Sequence, residues 1–119
     1  MIFKKWGIFL ANLDPVIGSE QGKTRPVIII SENEINLLLN TVTTLPITTR
    51  KNNRLIYPNE TLIKKNNFGL KKESVILCNQ IRTLDKKRFI SYLGEVDILE
   101  KQSEILHALS FLLGININK

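Results

Sequence analysis

The polar segment 18–26 reads GSEQGKTRP and lies between two apolar runs, WGIFLANL and VIIIS. Its glycines and its charged and amide side chains do not suit a core, so we expect a surface loop, where binding and catalytic groups concentrate. The letters GKT at 22–24 end like a phosphate-binding loop, but that motif needs four residues between its glycines and here there are three. The next residues open a strand instead of the required helix. A nucleotide-binding loop is therefore not predicted.

Two side chains that are prominent in catalysis and metal binding occur once each. Cys78 lies in the apolar run VILC and is predicted to be a buried, inert thiol, since one cysteine cannot form an internal disulfide. His107 is the single histidine, which excludes a His-rich metal site and the paired histidines of pancreatic-type ribonucleases. We predict no metal site and no cofactor, and any catalysis must use other groups.

Length and charge limit the class of protein. The 119 residues predict a single domain, 1–119, large enough to bury its own core. Lysine and arginine outnumber the acids 17 to 11, which suits nucleic acid or an acidic polypeptide as partner, or merely a well-solvated surface. No apolar run is long enough to span a membrane, and the N-terminal one lacks a signal-peptide cleavage site. These features predict a cytoplasmic protein.

The segments that must position the polar groups resemble short strands. Strands are predicted over 6–13, 27–30, 41–49, 55–57, 61–63, 74–83 and 88–93. The continuous β-branched run 27–30 indicates a strand buried on both faces. Pro46 cannot donate to a ladder and is predicted to mark an edge or a bulge. Ser31, with Glu34 three residues later, predicts a capping box at the start of a short helix.

The last part of the chain changes to a helical period. Asp97 is predicted to be the N-cap, Glu100 completes a second capping box, and Gly114 ends the helix. An apolar stripe recurs between them at Ile98, Ile105, Leu106, Leu109, Leu112 and Leu113. The predicted fold is therefore mainly β (α+β): a strongly bent antiparallel sheet or small barrel, with a short helix after the second strand and a C-terminal helix.

Three longer blocks read NLDPVIGSEQGKTRPVIIIS, TTLPITTR and ESVILCNQIRTLDKKRF, and the closing helix ends in LLGI. In this order and spacing, over nearly the whole chain, they resemble the MazF/PemK-type toxins of type II toxin–antitoxin systems. The resemblance implies an SH3-like β-barrel that forms homodimers. It implies a sequence-selective, metal-independent endoribonuclease that cleaves single-stranded RNA, including mRNA. It also implies an antitoxin whose acidic, flexible C-terminal tail lies across the RNA groove.

The resemblance places the catalytic pair on Arg25 and Thr48. Cleavage without metal proceeds by attack of the ribose 2′-hydroxyl on phosphorus, and a guanidinium suits the negative charge that develops on the phosphoryl oxygens. Thr48 would bind the same phosphoryl group or orient the 2′-hydroxyl. Without the resemblance, a salt bridge at a strand start and an ordinary strand threonine explain these residues. Glu20 is a third catalytic candidate, as a general base, a base-edge reader or simply an exposed carboxylate.

The other candidates are contacts to RNA. Amide groups read the edges of unpaired bases, which makes Asn79 and Gln80 candidates for sequence recognition. Arg82 suits an ion pair as well as it suits RNA. The remaining predicted RNA contacts are Ser19, Gln21, Lys23, Thr49 and Arg50.

Two departures from the family pattern bear on activity. Some relatives carry an arginine and an aspartate as acid and base where this chain has Leu77 and Asn79, so an active protein must rely on Arg25 and Thr48. The usual Gly-Asp or Gly-Glu near the N-terminus is replaced by Trp6-Gly7. Two alternatives stay open: a gyrase-poisoning toxin of the CcdB type, which binds a protein and cuts nothing, and a non-catalytic RNA-binding dimer.

Overall fold

A computed structural model describes residues 1–115 and consists mainly of one seven-stranded antiparallel sheet. The strands are β1 (Gly7–Asn12), β2 (Thr24–Ile29), β3 (Thr41–Thr49), β4 (Glu60–Ile63), β5 (Ser74–Leu77), β6 (Arg82–Asp85) and β7 (Phe89–Glu95). The helices are α1 (Asn33–Leu38) and α2 (Leu99–Leu113), with short 3₁₀ turns at Cys78–Gln80 and Lys86–Arg88. The predicted mainly β fold, with a short helix after the second strand and a C-terminal helix, is confirmed. Among the described residues, no helix combines the length and apolarity needed to cross a membrane.

The sheet runs in the order β4-β5-β3-β2-β1-β7, and β6 pairs with β3 on the same side as β5. Residues 41–44 of β3 pair with β6, and residues 47–49 pair with β5. Pro46 lies in the gap between these partners and is matched with Val27 of β2. The prediction of an edge or bulge at Pro46 is wrong, because β3 is central. In this gap the missing N–H of proline removes no ladder hydrogen bond.

The predicted strand 74–83 is interrupted where the chain passes from one partner region of β3 to the next. It leaves the ladder through the 3₁₀ turn at 78–80 and rejoins β3 as β6. The predicted strand 55–57 does not form. These residues belong to the β3–β4 loop, where the Glu60 carboxylate accepts two hydrogen bonds of 2.9 Å from Arg54 and one of 3.0 Å from the Tyr57 N–H. Side-chain bonding thus determines the shape of this loop.

Apolar side chains pack on both faces of β2. Val27, Ile28 and Ile29 are each fully buried, as the β-branched run predicts. Ile28 belongs to the cluster that receives Ile105 of α2, whereas its two neighbours join the aromatic cluster on the opposite face. Cys78 is also buried, as predicted, and burial raises the pKa of its thiol to about 11.

Neither helix begins with its predicted capping box. Helix α1 follows Glu32, because the Ser31 hydroxyl is used instead to bind Asn36 Oδ1 (2.6 Å) and the Thr43 N–H (3.0 Å). Helix α2 follows Ile98, and neither start shows a side-chain cap hydrogen bond in the described chain. The predicted stop at Gly114 is confirmed: its φ of 69° is left-handed, and its N–H bonds to the last turn.

Gly69 and Gly94 allow close backbone contact between the β4–β5 loop and β7, which belong to opposite ends of the strand order. A Cβ on Gly69 would lie 2.0 Å from the Leu93 carbonyl oxygen, and one on Gly94 would lie 2.3 Å from the Phe68 carbonyl oxygen. The β4–β5 loop therefore passes against β7, backbone to backbone. Within residues 1–115 the end strands β4 and β7 are not paired with each other, so the sheet curls toward a barrel without closing.

Candidate active site

Arg25 and Thr48 face each other on neighbouring strands. Strand β2 begins at Thr24, so Arg25 stands on the strand and not in the loop that the sequence predicts. The antiparallel match of Val27 with Pro46, continued by two residues, sets Arg25 opposite Thr48. Arg25 Nη1 lies 3.4 Å from Thr48 Oγ1, and both residues are half-buried. The pairing of the two predicted catalytic residues is a consequence of strand register.

The Arg25 guanidinium is held at two points. Its Nε donates to the Gly22 carbonyl oxygen at 2.9 Å, and Nη1 reaches Thr48. Because a guanidinium carries five N–H donors and never loses its charge at neutral pH, further donors remain for an anionic oxygen. An oriented cation with unused donors, next to a hydroxyl, is suited to bind a phosphoryl group.

A cavity of about 370 Å³ lies beside this pair. Val27 and Pro46, two residues further along β2 and β3, form part of its wall. The cavity brings together five residues that the sequence proposes for RNA contacts or catalysis, namely Glu20, Gln21, Asn79, Gln80 and Arg82. They come from the β1–β2 loop, from the turn between β5 and β6, and from the first residue of β6. The amide groups of Asn79 and Gln80 therefore line the cavity beside Pro46, where β3 changes its partner from β6 to β5.

Hydrogen bonds join the two ends of the β1–β2 loop to each other, next to the strands. Leu13 N donates to Lys23 O at 2.7 Å, and Lys23 N donates to Asp14 Oδ1 at 2.7 Å. In the middle of the loop, Gln21 N donates to Gln80 Oε1 at 3.3 Å. This last bond joins the loop to the turn at 78–80. The loop is therefore a braced wall of the cavity.

Two arginines hold the same wall of the cavity by hydrogen bonds to backbone carbonyl oxygens. Arg82 Nη1 donates to the Leu13 carbonyl oxygen at 2.8 Å, and within residues 1–115 it forms no ion pair with a carboxylate. Arg88 Nη1 donates to the carbonyl oxygens of Asn12 and Asp14, where the loop leaves β1. No sequence pattern pointed to Arg88, because a basic residue in a basic chain has many possible partners.

The other predicted contacts lie outside the cavity. The Arg50 side chain is bound to other residues of the protein. Its Nε donates to Arg54 O at 2.9 Å, and its Nη1 lies 3.3 Å from Glu73 Oε1. Ser19, Lys23 and Thr49 are exposed. Contacts of all four with RNA remain predictions.

The structure adds an apolar floor that the sequence did not reveal. Leu13, Val27 and Pro46 are buried and line the cavity. Apolar residues in strands are expected in a core, so nothing in the sequence separates those that face a cavity. The two positions of the third block that depart from the family pattern differ in the structure: Leu77 is buried in β5, whereas Asn79 is exposed at the cavity.

The fold and site together define a small β protein whose curled antiparallel sheet sets an arginine–threonine pair beside a cavity with a polar rim, an arrangement suited to an anionic ligand. The family model described as PemK-like, MazF-like toxin of type II toxin–antitoxin system matches residues 4–113. The chain belongs to this family of toxins.

Solved structures show the same fold. MazF from Deinococcus radiodurans superimposes with a TM-score of 0.80 at 26% identity, over 97% of this chain and 99% of that chain. An endoribonuclease from a mycobacterial species, solved in complex with its cognate antitoxin, gives 0.77 at 23% identity, over 97% and 98% of the two chains. The Mycobacterium tuberculosis toxin MazF-mt6 gives 0.76 at 23%, over 92% and 98%. The likeness extends over essentially the whole of each chain.

Proposed function

We propose that the chain, as a single domain over residues 1–119, is the toxin of a type II toxin–antitoxin system. In this proposal it cuts single-stranded RNA at selected sequences without a metal ion, and the loss of mRNA inhibits translation. The observation that carries the proposal is the 3.4 Å contact between Arg25 Nη1 and Thr48 Oγ1 at the edge of the polar cavity. A protein that only binds RNA has no need for an arginine held against a hydroxyl in this way.

The reaction exchanges one phosphorus–oxygen bond for another. The ribose 2′-oxygen bonds to phosphorus, the bond from phosphorus to the 5′-oxygen breaks, and a 2′,3′-cyclic phosphate and a 5′-hydroxyl result. One proton leaves the 2′-oxygen and one is delivered to the 5′-oxygen. Arg25 binds the phosphoryl oxygens as their charge grows, and the loss of one such donor typically costs about 10²–10³-fold in rate. Thr48 orients the 2′-hydroxyl toward phosphorus.

Glu20 lies in the cavity wall and not at the contact between Arg25 and Thr48. One of its carboxylate oxygens accepts the Ile17 N–H at 2.8 Å, which leaves the other oxygen for a ligand. The residue lines the cavity together with Gln80 and Arg82, where the wall presents amide and guanidinium groups. We therefore assign Glu20 to the reading of a base edge and not to proton transfer.

The proposal includes two protein partners. The mycobacterial relative was solved with its cognate antitoxin, which supports a similar partner for this chain. A net charge of +6 favours an antitoxin with an acidic, flexible tail that covers the groove. We also propose that two copies form a homodimer.

The test is RNA cleavage in excess EDTA, with the product ends identified by mass spectrometry. The wild type should leave 2′,3′-cyclic phosphates, and Arg25→Ala should lower the rate at least about 10²-fold. Lys87→Ala, which removes an equal charge from the exposed turn after β6, should cut at the normal rate. Full cutting by Arg25→Ala would refute the mechanism. A wild type that leaves RNA intact but inhibits gyrase would favour the CcdB-type alternative, and one that only binds RNA would favour the non-catalytic dimer.

A further inference from the structure

The cavity beside Arg25 contains an unsatisfied buried acceptor. Gln21 Oε1 is buried, and no donor within the described residues 1–115 reaches it. A buried amide oxygen without a partner is unfavourable, so such an atom is expected to meet a donor in the functional state. We propose that this cavity binds one unpaired guanine of the RNA, an inference that rests on the proposed action on RNA.

The shape of the cavity suits a flat ring with polar edges. Its floor is apolar, formed by the buried residues Leu13, Val27 and Pro46. Its volume of about 370 Å³ lies at the lower end of the range for small-ligand pockets, about 300–1,000 Å³. Unstacked bases are bound by apolar contact with their faces and by hydrogen bonds to their edges. The floor would contact the face, and the rim would read the edge.

Two groups on the rim offer donors. Gln80 Oε1 already accepts the Gln21 N–H, which turns the amide so that its NH₂ group is the end left for a ligand. Arg82 uses Nη1 on the Leu13 carbonyl oxygen and keeps its other N–H groups. Both residues line the cavity. They match a base edge that carries acceptors.

Two acceptors belong to residues of the opposite cavity wall. One is the unsatisfied Gln21 Oε1, and the other is the carboxylate oxygen of Glu20 that does not bind Ile17. Both residues belong to the β1–β2 loop, whereas the donors belong to the segment 78–82. The cavity therefore presents acceptors from one wall and donors from the other.

Guanine is the base that matches this arrangement. Its N1–H and N2–H groups are two adjacent donors for the acceptors of Gln21 and Glu20. Its O6 and N7 are two acceptors for Gln80 and Arg82, and arginine to O6 and N7 is the commonest specific contact of guanine. Uracil has only one ring donor, between two acceptors. Adenine and cytosine place a ring acceptor beside their amino group, where it would face an oxygen of the loop.

The cavity is also placed to read a base next to the cut. Val27 and Pro46 lie two residues from Arg25 and Thr48 on the same strands, which is about 7 Å along β2 and β3. A nucleotide with its base in the cavity would thus be adjacent to the phosphate held by Arg25. The inferred guanine flanks the scissile bond.

The experiment first cuts a random-sequence RNA pool and sequences the ends, which should show guanine fixed at one position beside the cut. In the best substrate, replacing that guanine by adenine should lower kcat/KM about 5- to 150-fold, the effect of 1–3 kcal/mol. Inosine lacks only the N2 amino group, so replacing the guanine by hypoxanthine should lower kcat/KM by a smaller factor than adenine does. In Glu20→Gln or Gln21→Ala the gap between guanine and inosine should shrink, whereas Glu34→Gln, an exposed carboxylate on α1, should keep it.

A binding measurement separates this inference from the proposed function. RNA with 2′-O-methyl groups cannot be cut, so its fluorescence anisotropy reports recognition alone. Tighter binding of guanine-containing RNA by a protein that cuts nothing would keep the inference and refute catalysis. Cutting with another base, or no base, fixed beside the bond would refute the inference and keep catalysis. A guanine preference unchanged by both cavity variants would also refute it, and so would RNA that is neither bound nor cut.

Discussion

Arg25 and Thr48 are 23 residues apart in the chain, yet the guanidinium Nη1 lies 3.4 Å from the hydroxyl Oγ1 across two adjacent strands. Thr48→Val keeps the shape of the side chain and removes the hydroxyl, so we expect kcat to fall about 10- to 100-fold with little change in KM. Thr48→Ser should retain most of the activity. Thr43→Val, at a half-buried position earlier on β3 whose hydroxyl meets only Thr83 among the described side chains, is the matched control. Wild-type turnover by Thr48→Val would exclude a role for the hydroxyl.

The Arg54–Glu60 pair should make stability depend on pH. Burial raises the pKa of Glu60, but hydrogen bonds from Arg54 and the Tyr57 N–H and the charge of Arg54 outweigh it, so the pKa falls below its usual 4.5. A lowered folded pKa means that the pair stabilises the protein above pH 4.5 and that this contribution is lost as the pH falls through the folded pKa. Glu60→Gln should therefore lower the free energy of unfolding by about 1–2 kcal/mol at pH 7.

The same difference should shrink as the pH falls through the lowered pKa of Glu60, where the wild-type carboxyl becomes protonated. Urea unfolding across pH measures both values. Glu104→Gln, which breaks a more exposed pair with Lys101 on α2, should change stability by less than about 0.5 kcal/mol at pH 7. A Glu60→Gln effect that stays constant from pH 7 down to the acid limit of the folded state would show that the charge is not what stabilises the loop.

Gly94 is required where β7 meets the β4–β5 loop. Its added Cβ would lie 2.3 Å from the Phe68 carbonyl oxygen, and a backbone atom cannot move aside as a flexible side chain can. Gly94→Ala should lower the free energy of unfolding by about 1–3 kcal/mol. Ser91→Ala, a half-buried position on the same strand, should change it by less than about 1 kcal/mol. An alanine variant as stable as the wild type would mean that the two segments do not touch.

Cys78 should resist thiol reagents in the folded protein. Burial, followed by the nearby charge of Glu60, raises the pKa of its thiol to about 11, so only about one molecule in a thousand carries thiolate at pH 8. Dithionitrobenzoate should react slowly without denaturant and rapidly in urea. Equal rates under both conditions would show that the thiol is accessible.

Local patterns predicted elements well where one residue type dominated. The β-branched run on β2, the apolar stripe of α2 and its final glycine each specify one structure without help from distant residues. Both capping boxes were wrong. At α1 the reason is that Ser31 finds partners on α1 and β3 that a local motif cannot anticipate. The strand 74–83 was over-extended for a similar reason: its interruption depends on how β3 changes partners at Pro46.

The sequence by itself determined the mainly β class, the family and the identity of Arg25 and Thr48 as candidates, since these depend on residue type and order along the chain. Only the tertiary structure decided that Arg25 faces Thr48, that Arg50 is engaged with Glu73, and that the amide groups of the segment 78–82 meet the β1–β2 loop over an apolar floor. Distances between residues far apart in the chain follow from strand register, and register is a property of the assembled sheet.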